Sequence, residues 1–187
     1  GWCLRGPGQA PLPTPSLVIA PGGPSIPQVG ASSYGYAFSA QFGITITPLR
    51  PAHVPLIFSP EQFSSFSGLS GAASDATVSC NAACFRENLL LTHRGLSGPA
   101  MLQISSYWQP GAPIHINLLP DLDAAVWLFA HRHSSSLLPN LLAQYLPRRF
   151  AQAWCEAVVQ SQSARPVNQY SETELKRIAL HLNRAEV

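Results

Sequence analysis

Apolar and polar positions follow two different periods along the chain, and the change comes near residue 121. Before it, most apolar runs are short and strand-like. Ser16-Leu17-Val18-Ile19-Ala20 reads as a buried parallel strand. It stops at Pro21-Gly22-Gly23-Pro24-Ser25-Ile26-Pro27, followed by Gly30. Tyr34 to Phe42 carries Ala37, Phe38 and Phe42 in helical step, with Gly43 as its stop. Ile44 to Thr47 and His53 to Phe58 predict short strands, pushed towards edges or bulges by Pro48, Pro51 and Pro55. A turn of helix is expected over Pro60 to Phe66. Ala76 to Ser79 and Phe85 to Thr92 form an expected antiparallel pair around Asn81. Met101, Ile104 and Trp108 place a helix over 99–108, and Ile114 to Leu118 alternates as a strand. Residues 1–15, rich in Gly and Pro, are expected to be a frayed tail.

From Asp121 the period is helical. Asp121 is a cap for a helix burying Leu122, Ala125 or Val126, and Phe129. Leu138, Leu142 and Tyr145 share the face of a second helix. Pro147 ends that one and opens a third with Phe150, Trp154 and Val158. Ser171-x-x-Glu174 is a capping box ahead of Leu175, Ile178, Ala179 and Leu182. The pattern predicts an α+β chain: a β-rich stretch over 44–120, shaped as a small barrel or sheet broken by one helix, then a helical subdomain over 121–187. The aromatic and leucine stripes of these helices read as core.

Composition alters this picture in three places. Hydrophobic residues make up 46% and charged residues only 11%, which excludes a disordered chain and implies surface covered by another domain or subunit. The net charge of +2 hides an asymmetry. Residues 1–130 hold 4 Arg/Lys against 5 Asp/Glu, and residues 131–187 hold 7 against 4. That basic tilt suits either nucleic acid or an ordinary solvated helical surface. The single methionine is Met101, so the chain is expected to be processed at its front or to be an internal segment of a longer protein.

No apolar run approaches the ~20 residues a membrane span needs, and no signal segment is visible, so a cytoplasmic protein with no membrane partner is expected. Cys3, Cys80, Cys84 and Cys155 have no zinc-pair spacing, and His131-x-His133 does not share a helical face; reduced thiols and no metal are expected. No strand is followed by G-x-G-x-x-G, so a complete dinucleotide fold is not encoded.

The chemistry worth isolating lies in Thr92-His93-Arg94-Gly95-Leu96-Ser97-Gly98-Pro99-Ala100, between a strand-like and a helix-like run. Glycine permits sharp turns or close approach of backbone to a ligand, and Pro99 suits the first helical position. Two readings stand: an ordinary strand-to-helix turn, or a helix start whose N–H groups receive an anion or polar oxygen.

Two stretches resemble one family, the BaiN/RdsA-like (YhiN-type) NAD(P)/FAD-dependent oxidoreductases. The first is carried by Val18, Ile19, Ala20, Gly22, Gly23, Ser25, Pro27, Gly30, Gly35 and Tyr36, with Pro21 where the family usually has threonine. The second is F-R-E-N-L-L-x-T-H-R-G-L-S-G-P-A-x-L-Q-I-S-S-Y-W, matched from Phe85 to Trp108. The resemblance implies that residues 1–43 are the end of a Rossmann-like FAD domain and that the rest is its insert, with further N- and C-terminal parts of the same protein completing the FAD site.

It implies hydride transfer from NAD(P)H through FAD to an unsaturated substrate, a steroid-type ring ketone or uridine in ribosomal RNA. Ala20, Gly22, Gly23, Ser25, Pro27 and Gly30 would then be cofactor-binding, and His93, Arg94, Ser97 and Gly98 would line the flavin or substrate pocket. For His93 the resemblance implies a proton donor beside the equal alternative of a structural hydrogen bond. For Arg94 it implies an anion or carbonyl contact beside pairing with Glu87. Two other functions remain open at this level: a non-catalytic insert module binding RNA or protein, and an inactive truncated segment.

Overall fold

The computed structural model describes residues 1–58, 70–160 and 163–187. The helical turn expected over Pro60 to Phe66 lies outside the described residues. The chain divides into two compact units, Gly1–Arg50 and Pro51–Val187.

The first unit has no fully buried residue. The expected frayed tail is instead an antiparallel hairpin, β1 (Trp2–Leu4) with β2 (Leu12–Thr14), in register Trp2↔Thr14. Its connection contains Gly6-Pro7-Gly8, and Gln9 N–H closes a turn on the Gly6 carbonyl at 3.2 Å. Helix α1 (Tyr34–Gln41) forms where the aromatic spacing predicts it. Tyr34, Phe38 and Phe42 stack successively along it, ring centroids 6.0 and 5.1 Å apart, and Trp2 meets Phe42 edge-on at 5.1 Å.

Residues 16–20 are not a strand, contrary to expectation, and Val18 is 85% exposed. A parallel strand exists only between neighbours that take its hydrogen bonds, and no neighbour pairs with it among the described residues. Ile44 to Thr47 likewise forms no strand.

The second unit contains a six-stranded antiparallel sheet in the order β3-β6-β5-β4-β7-β8: β3 (Leu56–Ile57), β4 (Ala73–Cys80), β5 (Ala83–Leu91), β6 (Gly95–Ser97), β7 (His115–Asn117) and β8 (Ala185–Glu186). The centre is the predicted β4–β5 hairpin, running from Ala73↔Leu90 to Cys80↔Ala83. Asn81 adopts the positive φ of 53° that a tight hairpin turn needs. Alternation decides the faces. Ala76, Val78 and Cys80 point into the core with Leu89, Leu91, Ile114, Ile116 and Leu118. Leu56 and Ile57 from one edge strand and Glu186 from the other line a single cavity of about 390 Å³. The sheet therefore curls into a half-barrel whose two edges face each other.

One helix, α2 (Pro99–Ile104), plugs the concave side with fully buried Ala100, Met101 and Ile104. Buried Ser105 donates to the Leu102 carbonyl at 2.8 Å and accepts the Val54 N–H at 2.9 Å, tying the lead-in strand segment to this helix.

Between β7 and β8 the chain makes a helical excursion: α3 (Ala124–Ala130), α4 (Leu138–Leu142), α5 (Arg148–Val158) and α6 (Glu172–Asn183). The capping box at Ser171 and Glu174 is present in full, and Leu175, Ile178, Ala179 and Leu182 are buried as predicted. The start of α3 differs. Asp123, not Asp121, caps it by accepting from Ala125 and Val126 N–H at 2.9 and 3.0 Å.

Asp121 is engaged elsewhere, with Arg86, which also holds Asp75 at 2.8 Å. The buried face is Ala124, Trp127 and Leu128, while Val126 and Phe129, expected inside, lie exposed. Tyr145, expected on the buried face of the second helix, is 49% exposed and packs edge-on against Trp127.

A single side chain makes several of the bonds that fasten the excursion to the sheet. Asn183, the last residue of α6, donates to Asn117 Oδ1 and the Leu122 carbonyl, both at 2.9 Å, and accepts the Ala124 N–H at 2.7 Å. It thus joins β7, the connecting loop and the start of α3. The helices and sheet share one core.

Candidate functional site

The second signature stretch folds into a short β5–β6 turn. Thr92 ends the β5 run, and its hydroxyl is used to capacity: it donates to the Gly95 carbonyl at 3.0 Å and accepts from Arg94 and Gly95 N–H at 3.2 and 3.1 Å. Thr92 N–H meets the same Gly95 carbonyl at 2.8 Å. From the other side, Phe58 N–H donates to the Arg94 carbonyl at 3.0 Å.

His93 and Arg94 form the exposed tip, and neither side chain has a partner among the described residues. The alternative of an Arg94–Glu87 pair is therefore not what the structure shows; the arginine of the signature that pairs with carboxylates is Arg86. Sequence reasoning missed Thr92, although T-x-x-G is a recognisable side-chain-to-backbone turn.

The two glycines of the stretch answer to the sheet. A Cβ at Gly95 would lie 2.1 Å from the Leu56 carbonyl oxygen. At Gly98, with φ +89°, a Cβ would meet Asn88 O at 2.5 Å and Leu90 N at 2.8 Å. Gly98 is buried, and Ser97 is half-buried beside it. Close strand packing thus accounts for both glycines, while His93 and Arg94 are the parts of the stretch offered outward. The helix that follows spans only Pro99–Ile104, without a side-chain cap.

The first signature stretch lies in the other unit. Pro27–Val29 is a short 3₁₀ turn, with Gly30 left-handed behind it. Ile19, Ala20, Pro21 and Gly22 face Gly35, Tyr36 and Ser39 of α1 across a cavity of about 250 Å³. α1 approaches closely: a Cβ at Gly35 would lie 2.6 Å from Pro21 Cγ. At Gly22, φ +72°, and at Gly30, φ +90°, a Cβ would meet nothing within 4 Å.

Cys80, Cys155 and His131 are structural. Burial raises the thiol pKa of Cys80, and burial with the neighbouring Glu156 pushes Cys155 up to about 12, so neither is a poised nucleophile. His131 closes α3 through Nδ1 and the Trp127 carbonyl at 2.8 Å. Among the described residues no group of three His, Cys, Asp or Glu could hold a metal ion, and no helix is long and apolar enough to cross a membrane.

A curled antiparallel half-barrel, plugged by one helix and interrupted by a helical excursion, defines an α+β domain class. Residues 50–187 match the model of the HI0933-like protein barrel and H2TH domain, and the chain belongs to that family.

Similar proteins include the ribosomal RNA dihydrouridine synthase of Escherichia coli strain K12, 48% identical over 139 residues, 73% of this chain and 35% of that protein. The protein of the same name from Haemophilus influenzae is 38% identical over 146 residues, 75% of this chain and 36% of its own length. The 3-dehydro-bile acid delta(4,6)-reductase of Clostridium scindens is 26% identical over 133 residues, 67% of this chain and 32% of its own. The chain spans about a third of the length of these curated relatives.

Proposed function

We propose that this chain is the insert-bearing part of a flavin-dependent reductase that saturates a carbon–carbon double bond of uridine in ribosomal RNA, with NAD(P)H as reductant. The observation that carries this reading is the 48% identity to the Escherichia coli ribosomal RNA dihydrouridine synthase. The bile acid reductase, at 26%, is the more distant relative, and the basic tilt of residues 131–187 favours an anionic polymer over a steroid. This reading places the protein in the cytoplasm with its RNA.

FAD, when bound, would supply the hydride-transfer chemistry between the nicotinamide and the double bond. Within the first unit, the 20–30 loop would hold the flavin through its backbone. Gly22 and Gly23 bring backbone close and retain N–H donors, while Pro21 contributes none. Ala20, Ser25, Pro27 and Gly30 shape the loop around them. Within the second unit, Ser97 and Gly98 would support the turn that offers His93 and Arg94 to a flavin or substrate. Arg94 would contact a phosphate or the uracil carbonyl, and His93 would give a proton to the carbon of the double bond that does not receive the hydride.

The test uses the full-length protein with its flavin bound and an unmodified ribosomal RNA transcript. Expected are NAD(P)H oxidation that depends on RNA and a mass gain of two hydrogens in one uridine. Arg94→Ala is expected to raise KM for RNA about tenfold, equivalent to ~1.4 kcal/mol. A flavin-loaded protein that binds this RNA but never reduces it would instead establish a binding module.

A further inference from the structure

We infer that Thr92 is a positioning residue for the proposed site: its hydroxyl locks the turn that holds Arg94 and His93 out as a rigid pair. The inference rests on the reading of Arg94 and His93 as substrate contacts. What goes beyond it is the assignment of a role to a side chain that itself touches no substrate.

A threonine hydroxyl has one hydrogen to donate and two lone pairs. All are committed within four residues, to Gly95 O, Arg94 N and Gly95 N. Thr92 therefore has nothing left for a ligand. What it does instead is remove freedom from the two residues between its own position and Gly95. The Phe58 N–H on the Arg94 carbonyl fixes the same segment from β3, and Gly95 is wedged against the Leu56 carbonyl.

Fixing a residue's backbone costs conformational entropy, and in this turn that cost is met on folding instead of on substrate binding. The exposed tip is thus locked in its backbone while its side chains remain uncommitted.

The experiment compares Thr92→Val, which keeps the shape and loses the hydroxyl, with Thr92→Ser, which keeps the hydroxyl, in the flavin-loaded full-length protein. Thr92→Val is expected to raise KM for the RNA transcript three- to tenfold, with a smaller fall in kcat, and Thr92→Ser to restore wild-type KM.

In the Thr92→Val/Arg94→Ala double variant, KM should match that of Arg94→Ala alone, because Arg94 is the contact through which the lock acts on KM; the loosened His93 would show in kcat. Amide hydrogen exchange on the flavin-free protein supplies a readout independent of turnover. Arg94 and Gly95 should exchange faster in Thr92→Val, with β4 and β5 unchanged. Multiplying effects in the double variant, or Thr92→Val kinetics equal to wild type while Arg94→Ala still raises KM, would overturn the positioning role and leave the site reading standing. Unchanged KM in Arg94→Ala would remove the site reading and this inference with it.

Discussion

At the residue scale, two glycines that look alike in sequence carry different loads. Gly98 combines a φ of +89° with sheet backbone 2.5 and 2.8 Å from where a Cβ would sit, and neither Asn88 O nor Leu90 N can swing aside as a side chain could. Gly98→Ala is expected to destabilise the Pro51–Val187 unit by about 2–4 kcal/mol, read as a lowered midpoint in chemical denaturation. Gly22 has the same left-handed backbone in open space, so Gly22→Ala meets only the conformational penalty of about 1 kcal/mol and should leave that midpoint in place. Equal midpoints for the two variants would refute the close-packing account of Gly98. The resemblance drew attention to both positions, but the load on each depends on which strand passes behind it.

At the element scale, α6 is the helix whose start was most legible. Ser171 and Glu174 form a local contract over four residues, and no distant partner is needed to complete it. Ser171 N–H, then Arg165 and the Ser171 hydroxyl, hold the Glu174 carboxyl down to about 2, against an ordinary value of 4.5. A carboxyl depressed on folding stabilises the protein above its unfolded value and loses that contribution as pH falls from about 4.5 through about 2. The side chain is 28% exposed, so solvent screens part of the effect. Glu174→Gln keeps a capping partner and removes the charge. It should flatten the acid limb of a stability-against-pH curve between those values, while Ser171→Ala should lower stability by about 1 kcal/mol near neutral pH and by less once Glu174 is protonated, because the Ser171 hydroxyl is one of the groups holding that carboxyl down.

Strands fared worse than helices for a physical reason. A strand is an agreement between segments, and 16–20 and 44–47 have suitable residues but no pairing neighbour among those described. The start of α3 was misplaced by the same kind of remoteness: Asp121 is a good cap by type, yet Arg86, brought in by β5, draws it away.

At the scale of the whole domain, Asn183 decides whether sheet and helices unfold together. Asn183→Ala would strip partners from Ala124 N, Asn117 Oδ1 and the Leu122 carbonyl at one stroke. A loss of about 2–4 kcal/mol is expected. Cys155, buried in α5, makes a reporter of that joint: its thiol should resist alkylation in the wild-type domain and become reactive in Asn183→Ala at denaturant concentrations where the β4–β5 amides still resist exchange. Loss of both protections at the same concentration would show that the Asn183 contacts are dispensable for coupling. Nothing in the sequence marks Asn183, because its partners are gathered from a strand, a loop and another helix.

The return of the chain to β8 also sets an order of events in folding. β4 and β5 meet across a two-residue turn, whereas Asn183 finds Asn117 from 66 residues away. Closing so long a loop costs little more than closing one of half its length, about 0.6 kcal/mol, provided the intervening chain has already collapsed. The central hairpin can therefore form early as a template, with the helical excursion condensing beside it. The half-barrel acquires its last edge only when α6 is long enough in place to deliver Ala185 to Ile116. Until then β7 presents an unpaired edge, and a nascent chain paused before residue 185 would carry that edge as a site for association with its neighbours.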